Sequence, residues 1–178
     1  MNENGPYKVL IVDDDEMVRK LIYAILSKKG HFCELARDGI EAFEKAGQNE
    51  YDAVITDVVM PNMDGILLTH ELLKKYPALA VMVMTGYSRS TYRKQTIDEA
   101  AFDEGASEFI GKPFSVQEFS VRFHKMMVNH KTLAQIKARQ KEIERRSTQI
   151  ITELQKESAE RIETLRKEME KLKGNLAE

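Results

Sequence analysis

Five short, β-rich apolar runs recur along the chain: KVLIV (Lys8–Val12), FCELA (Phe32–Ala36), AVITD (Ala53–Asp57), AVMVMT (Ala80–Thr85) and EFIG (Glu108–Gly111). Runs this short and this continuously apolar suit strands buried on both faces. Helical patterns lie between them. Met17, Val18, Leu21, Ile22, Ile25 and Leu26 form a 3.6-residue stripe that stops at Gly30, a residue suited to ending a helix. A second helix begins near Ile40. A third runs through Leu67, Leu68, Leu72 and Leu73 and ends before Pro77, and a fourth occupies much of Thr91 to Asp103. A fifth opens at Ser115, where SVQE has the serine and glutamate of a capping box. This alternation predicts an α/β fold: a five-stranded parallel doubly wound sheet with right-handed crossovers and helices on both faces. In such sheets ligands sit beyond the carboxyl ends of the strands, where the strand order reverses.

The rest of the chain follows a different rule. No proline follows Pro113 and no aromatic residue follows Phe123. From Leu133 a seam steps by three and four through Ile136, Gln140, Ile143, Ser147, Ile150 and Leu154, and a second block follows at Ile162, Leu165, Met169, Leu172 and Leu176. Between Leu154 and Ile162 the steps run four and four through Ser158, which puts the blocks out of phase by one residue. A seam this long predicts a long C-terminal helix that forms a coiled coil, as a parallel homodimer through residues 133–176. The division is therefore a domain over residues 1–130 and a helical segment over residues 131–178. If the fifth helix runs into the seam unbroken, no interruption separates them.

A chain of 178 residues has room for one ordinary domain and not for two comparable cores. Its apolar runs of four or five residues are far short of the roughly 20 that a membrane helix needs, and MNENGPYK lacks the basic start and apolar stretch of a secretion signal. The expectation is a cytoplasmic protein without a membrane span. Cys33, the lone cysteine, reads as a small apolar filler. The last 48 residues carry 12 Lys+Arg and 9 Asp+Glu, net +3, which leaves −5 for the first 130. That tail has no turn residue before Gly174, and Glu142 and Glu144 interrupt its basic stretch, so direct DNA binding is not expected.

Chemistry-bearing residues fall where strands end. Asp13 and Asp14 follow the first strand, Asp57 closes the third, Thr85 closes the fourth and Lys112 follows the fifth. A parallel sheet brings these ends to one edge. Three carboxylates there would repel one another without a cation, and hard oxygen ligands suit Mg²⁺ with a phosphoryl group. A carboxylate can be the nucleophile of such a transfer, while an ammonium group and a hydroxyl stabilise the phosphoryl oxygens. Asp15 reads as a helix cap, Asp64 with Gly65 as turn and helix-start chemistry, and His31, His70, His124 and His130 are scattered without ligand spacing.

In these pieces, the pair Asp13 and Asp14, Asp57 with MPNMDG downstream, Thr85 after an apolar strand, and Lys112 in KPF, the chain resembles the response-regulator receiver family over roughly Tyr7 to His130. These are the flavodoxin-like phosphoacceptor domains of two-component signalling. The resemblance implies that Asp57 is phosphorylated by a sensor histidine kinase or phosphotransfer protein. It implies that Asp14, Asp57 and the Val59 backbone carbonyl hold Mg²⁺, with Asp13 acting mainly through water. Lys112 would pair with the acceptor, Thr85 would move onto the phosphoryl group, and Phe109 would be the aromatic switch. The Lys112–Pro113 bond is cis in this family. Val59 and Tyr87 stand where the family places side chains that admit water, which implies slow hydrolysis. The interval from Thr85 to Gly105 is longer than the family usually has, and no output domain is recognisable. On this resemblance the chain is not an enzyme beyond its own phosphotransfer and slow dephosphorylation.

Other readings fit less well. A haloacid-dehalogenase phosphatase needs a second aspartate two residues after its nucleophile, where this chain has Val59. The tail also reads as a linker to a catalytic output domain of a longer regulator, or as the docking helix of a protein-interaction relay.

Overall fold

The computed structural model describes residues 5–86, 91–92 and 95–175; Tyr87 and Leu176 lie outside the described residues. The elements in chain order are β1 (Lys8–Val12), α1 (Glu16–Lys28), β2 (Phe32–Ala36), α2 (Gly39–Gln48), β3 (Ala53–Asp57), α3 (Gly65–Lys75), β4 (Ala80–Thr85), β5 (Thr91–Tyr92), β6 (Gln95–Thr96), α4 (Ile97–Asp103), β7 (Glu108–Gly111) and α5 (Val116–Asn175). Each apolar run is a strand with the expected bounds. Five strands form one parallel sheet in the order β2-β1-β3-β4-β7. The order reverses between β1 and β3, so the crevice lies beyond Val12 and Asp57.

Side chains alternate across the sheet with the period of two that strands impose. Leu10, Val12, Val54, Val81 and Val83 point into one apolar cluster, which includes Ala42, Leu68, Leu72 and Ala101 of α2, α3 and α4. Val9, Ile11, Ile55, Met82 and Met84 point into the other, with Ile22 and Leu26 of α1 and Phe119 and Phe123 of α5. Burial on both faces is why the runs of β1, β3 and β4 read as continuous; β2 and β7, at the two edges of the sheet, are only half-buried, and Phe32 is exposed, against the expectation for these two runs.

Helix ends follow local chemistry. Asp15 accepts from the Met17 N–H at 2.8 Å and Asp64 from the Leu67 N–H at 2.8 Å, so both are caps. α1 ends with Gly30 at φ 86°, where the Gly30 N–H donates to Ser27 and the His31 N–H to Leu26, a Schellman closure. Ser115 accepts from the Glu118 N–H at 3.0 Å and starts α5. The fourth helix differs from expectation. Thr91–Tyr92 pairs antiparallel with Gln95–Thr96, and α4 begins only at Ile97. Threonine and tyrosine favour extended backbone, and this short ladder stands where the fourth helix was expected to begin.

The chain divides into two units, Met1–Thr132 and Leu133–Glu178. In the second, Leu133, Ile136, Ile143, Ile150 and Leu154 are all more than half exposed. No helix among the described residues is long and apolar enough to cross a membrane.

Asp38 ties α2 to the loop after β3 and caps this helix, which begins at Gly39, one residue before the start expected near Ile40. Its Oδ1 accepts from the Glu41 N–H at 2.8 Å and its Oδ2 from Asn62 Nδ2 at 2.9 Å. The Glu41 amide first, and Asn62 and Arg37 with it, hold the Asp38 carboxyl below its ordinary range against the opposing effect of burial. Asp38→Ala should cost about 1–3 kcal/mol in urea unfolding at neutral pH. A depressed folded pKa gives stability present above the unfolded value and lost as pH falls through the folded one. The gap between the two proteins should therefore narrow as pH drops below 3.8, and a gap independent of pH would exclude an ionised cap.

Candidate functional site

Asp13 leaves β1 with its side chain completely buried, a position that demands partners for every oxygen. Its Oδ1 accepts from the Asp15 N–H at 2.9 Å and its Oδ2 from Lys112 Nζ at 2.6 Å. Its own carbonyl accepts from the Arg19 guanidinium, one turn into α1. Sequence reading missed Arg19. Its position six residues after Asp13, on the first turns of the helix, is the signal that could have found it.

Asp57 ends β3 and is 6% exposed. Lys112 Nζ lies 2.8 Å from its Oδ1 as an ion pair. Lys112 is thus shared between two buried carboxylates that come from strand ends far apart in sequence. Burial first, and the nearby charges of Asp13 and Asp14 with it, push the Asp57 carboxyl up; Lys112 pulls the other way. Burial also works against the Lys112 ammonium, but Asp13 and Asp57 together outweigh it and raise its pKa.

Oxygens of Asp13, Asp14 and Asp57 lie within 4.8 Å of one another, with Asp14 exposed and the other two buried. Three carboxylates against one ammonium leave two excess negative charges. An all-oxygen set with that excess fits a hard divalent cation. Thr85 is buried at the end of β4, and its carbonyl accepts from the Lys112 N–H at 2.6 Å, which registers the β7 exit against β4. The Lys112–Pro113 bond is cis. Val59 stands two residues past Asp57 with its side chain 55% exposed. Phe109, on β7 opposite Val83, is half-buried against the cluster under α2, α3 and α4.

The structure therefore brings Asp13, Asp14, Asp57, Lys112 and Thr85 to one sheet edge. It does not bring the histidines there: His70 pairs with Glu104 at 2.6 Å, His130 meets the Ala78 carbonyl, and His31 accepts from the Tyr7 N–H. Cys33 is half-buried on β2, and burial pushes its thiol pKa up.

The response regulator receiver domain family matches residues 9–124 of this chain. Response regulator MprA from Mycobacterium sp. (strain KMS) is 34% identical over 122 residues, 68% of this chain and 51% of that protein. The chain thus spans about half the length of the curated relatives it matches. Among solved structures, a response regulator receiver domain protein (CheY-like) from Methanospirillum hungatei JF-1 shares the fold. Its TM-score is 0.66 at 22% identity, covering 72% of this chain and 98% of that one. TrrA from Thermotoga maritima, solved in complex with Mg(2+)-BeF, matches at 30% identity with a TM-score of 0.59, covering 67% of this chain and 98% of its own.

Gly65 shows how closely the backbone approaches the site. Its N–H donates to the Val58 carbonyl at 2.9 Å, and a Cβ added there would overlap the Asp57 carbonyl. Gly65→Ala should cost about 1–3 kcal/mol, the usual range for overpacking. It should also move the backbone resonances of Asp57 and Val58. A variant with the urea midpoint and the spectrum of the wild type would show that this contact imposes no constraint.

Proposed function

The chain belongs to the response-regulator receiver family of two-component signalling, and from that premise we propose that Asp57 accepts a phosphoryl group from a sensor histidine kinase or a phosphotransfer protein. The observation that carries this reading is the Lys112 ammonium within 2.8 Å of Asp57 and 2.6 Å of Asp13, beside Asp14 and at the switch point of the sheet. A carboxylate oxygen of Asp57 attacks phosphorus, the bond to the donor nitrogen breaks, and an acyl phosphate forms as the imidazole leaves. Lys112 already faces the acceptor, so it meets the charge on the new phosphoryl oxygens without reorganisation. Thr85 offers a hydroxyl from β4, and Phe109 responds from β7.

Asp14, Asp57 and the Val59 carbonyl would hold Mg²⁺, with Asp13 acting through water and through Lys112. When bound, Mg²⁺ supplies neutralising charge for the phosphoryl oxygens. The two excess negative charges of the cluster support this assignment. Residues 1–130 then form a cytoplasmic phosphoreceiver that acts on itself and on no external substrate. Residues 131–178 form a helical segment that carries output as a homodimer, paired through its exposed apolar seam to a protein target downstream.

Treatment with acetyl phosphate and Mg²⁺ should add one phosphate by intact mass, and Asp57→Asn or chelation with EDTA should abolish it. Undiminished labelling of Asp57→Asn would remove Asp57 from the role. Valine at position 59 gives water no hydrogen bond, so Val59→Asn should shorten the phosphoryl lifetime. A lifetime equal to that of the wild type would dissociate Val59 from hydrolysis.

A further inference from the structure

Taken in heptads, the tail seam breaks phase near Ser158. A straight helix has no such break. Leu133 and Met169 are 36 residues apart, ten full turns at 3.6 residues per turn. A strict heptad repeat would drift by roughly 100° over that span, about 20° per heptad. Replacing Ile150 by Ile151 in the seam gives steps of 3-4-3-4-4-3-4-4-3-4 from Leu133 to Met169, two eleven-residue units between seven-residue ones. At 100° per residue, Ile151 then projects within about 30° of the mean direction of the stripe and Ile150 about 70° to one side. Ile150 and Ile151 are equally exposed, 56% and 55%, so exposure alone does not choose between them. The projection does, and a shallow apolar groove with Ile151, Leu154, Ser158 and Ile162 among its lining residues runs along the same face. The small side chains of Ser158 and Ala159 open a hole between Leu154 and Ile162 that can admit a facing side chain.

The occupant that fits this stripe is a second copy in parallel register. Gln140 decides the orientation. In a parallel pair its amide meets the same amide of the other copy and both are hydrogen-bonded. An antiparallel pair that sets Leu133 against Leu172 places Gln140 against Leu165 and buries two unpartnered amides. Flanking charges agree. The parallel register sets Arg139 against Glu144 of the other copy, with Arg161 and Arg166 opposed. The antiparallel register gains Arg139 with Glu168 but opposes both Arg146 with Arg161 and Lys137 with Arg166.

We propose that residues 133–169 pair in parallel with the same segment of a second chain as an almost untwisted helix pair, with Ile151 and Ser158 as core layers and Ile150 on the flank. This rests on the dimeric reading above and specifies its register. The test uses the full chain with Cys33→Ser, carrying one cysteine at a time: Gln140→Cys, Ile150→Cys, Ile151→Cys or Ser158→Cys. Light scattering is done first and should give a dimer for each. Under mild oxidation the cysteines at 140, 151 and 158 should form interchain disulfides severalfold faster than the one at 150. Dimers in which the cysteine at 150 links as fast as the one at 151 would overturn the untwisted register. Dimers without a disulfide at 158, in the variant that keeps Gln140, would overturn the parallel orientation. A monomer of the parent Cys33→Ser chain would overturn the dimeric reading itself, and a trimer or tetramer the pairing of two.

Discussion

The receiver unit is organised around one ammonium group. Lys112 Nζ sits 2.6 Å from an oxygen of Asp13 and 2.8 Å from one of Asp57, and both carboxylates are nearly or wholly out of water. Burying a carboxylate without a partner costs several kcal/mol, so neither strand end could carry its acid here without the lysine. The three residues come from β1, β3 and the exit of β7, and the lysine must reach past the end of β4 to meet the acids. Each backbone around it is registered separately: the Lys112 N–H to Thr85, the Val58 N–H to Met84, and the Asp13 N–H to Ala36. The sheet thus fixes the backbones, and the ion pairs close the edge that the backbones leave open.

The same cluster is unbalanced by design of its residue types. Three carboxylates and one lysine leave it two charges negative, and on the proposed reading a phosphoryl group adds more negative charge at Asp57. Such a group gains from a cation already in place. By linkage the cation is held more tightly once the group has arrived. The burial and like charge that push the Asp57 carboxyl up express the same imbalance from the protein's side. A site whose apo form is electrostatically uncomfortable is one whose ligands can shift its equilibrium, because each relieves part of the same repulsion.

The five strands of the main sheet were legible because burial on both faces of β1, β3 and β4 leaves continuous apolar runs, and all five runs had clear ends. The site was legible for the same reason: Asp13, Asp14, Asp57, Thr85 and Lys112 stand at those ends, and parallel topology forces the ends together. What the sequence hid has no period and no fixed spacing. Arg19 reaches a backbone carbonyl, and Asp38 is joined to Asn62 across 24 positions, where Asn62 itself sits in the left-handed region at φ 65°. A bond between one loop and another leaves no trace in local pattern. The ladder at Thr91–Thr96 escaped because two-residue strands are too short to show alternation, and a helical stripe extended backward from Ala100 and Ala101 covers them.

The tail shows how a reading frame can create a defect. A seam counted in heptads assumes 3.5 residues per turn, which holds only if the helices supercoil enough to supply the difference. Eleven-residue steps lie on the other side of 3.6, so mixing the two cancels the strain in each direction and leaves the stripe on one face of an ordinary helix. The apparent slip at Ser158 is then the residue count by which a straight helix outruns a heptad frame. On the proposed pairing the small side chains there would serve the packing: where the two eleven-residue units place Ser147 and Ser158 in the seam, a serine would let facing helices approach without the bulk that a coiled turn would otherwise have to accommodate.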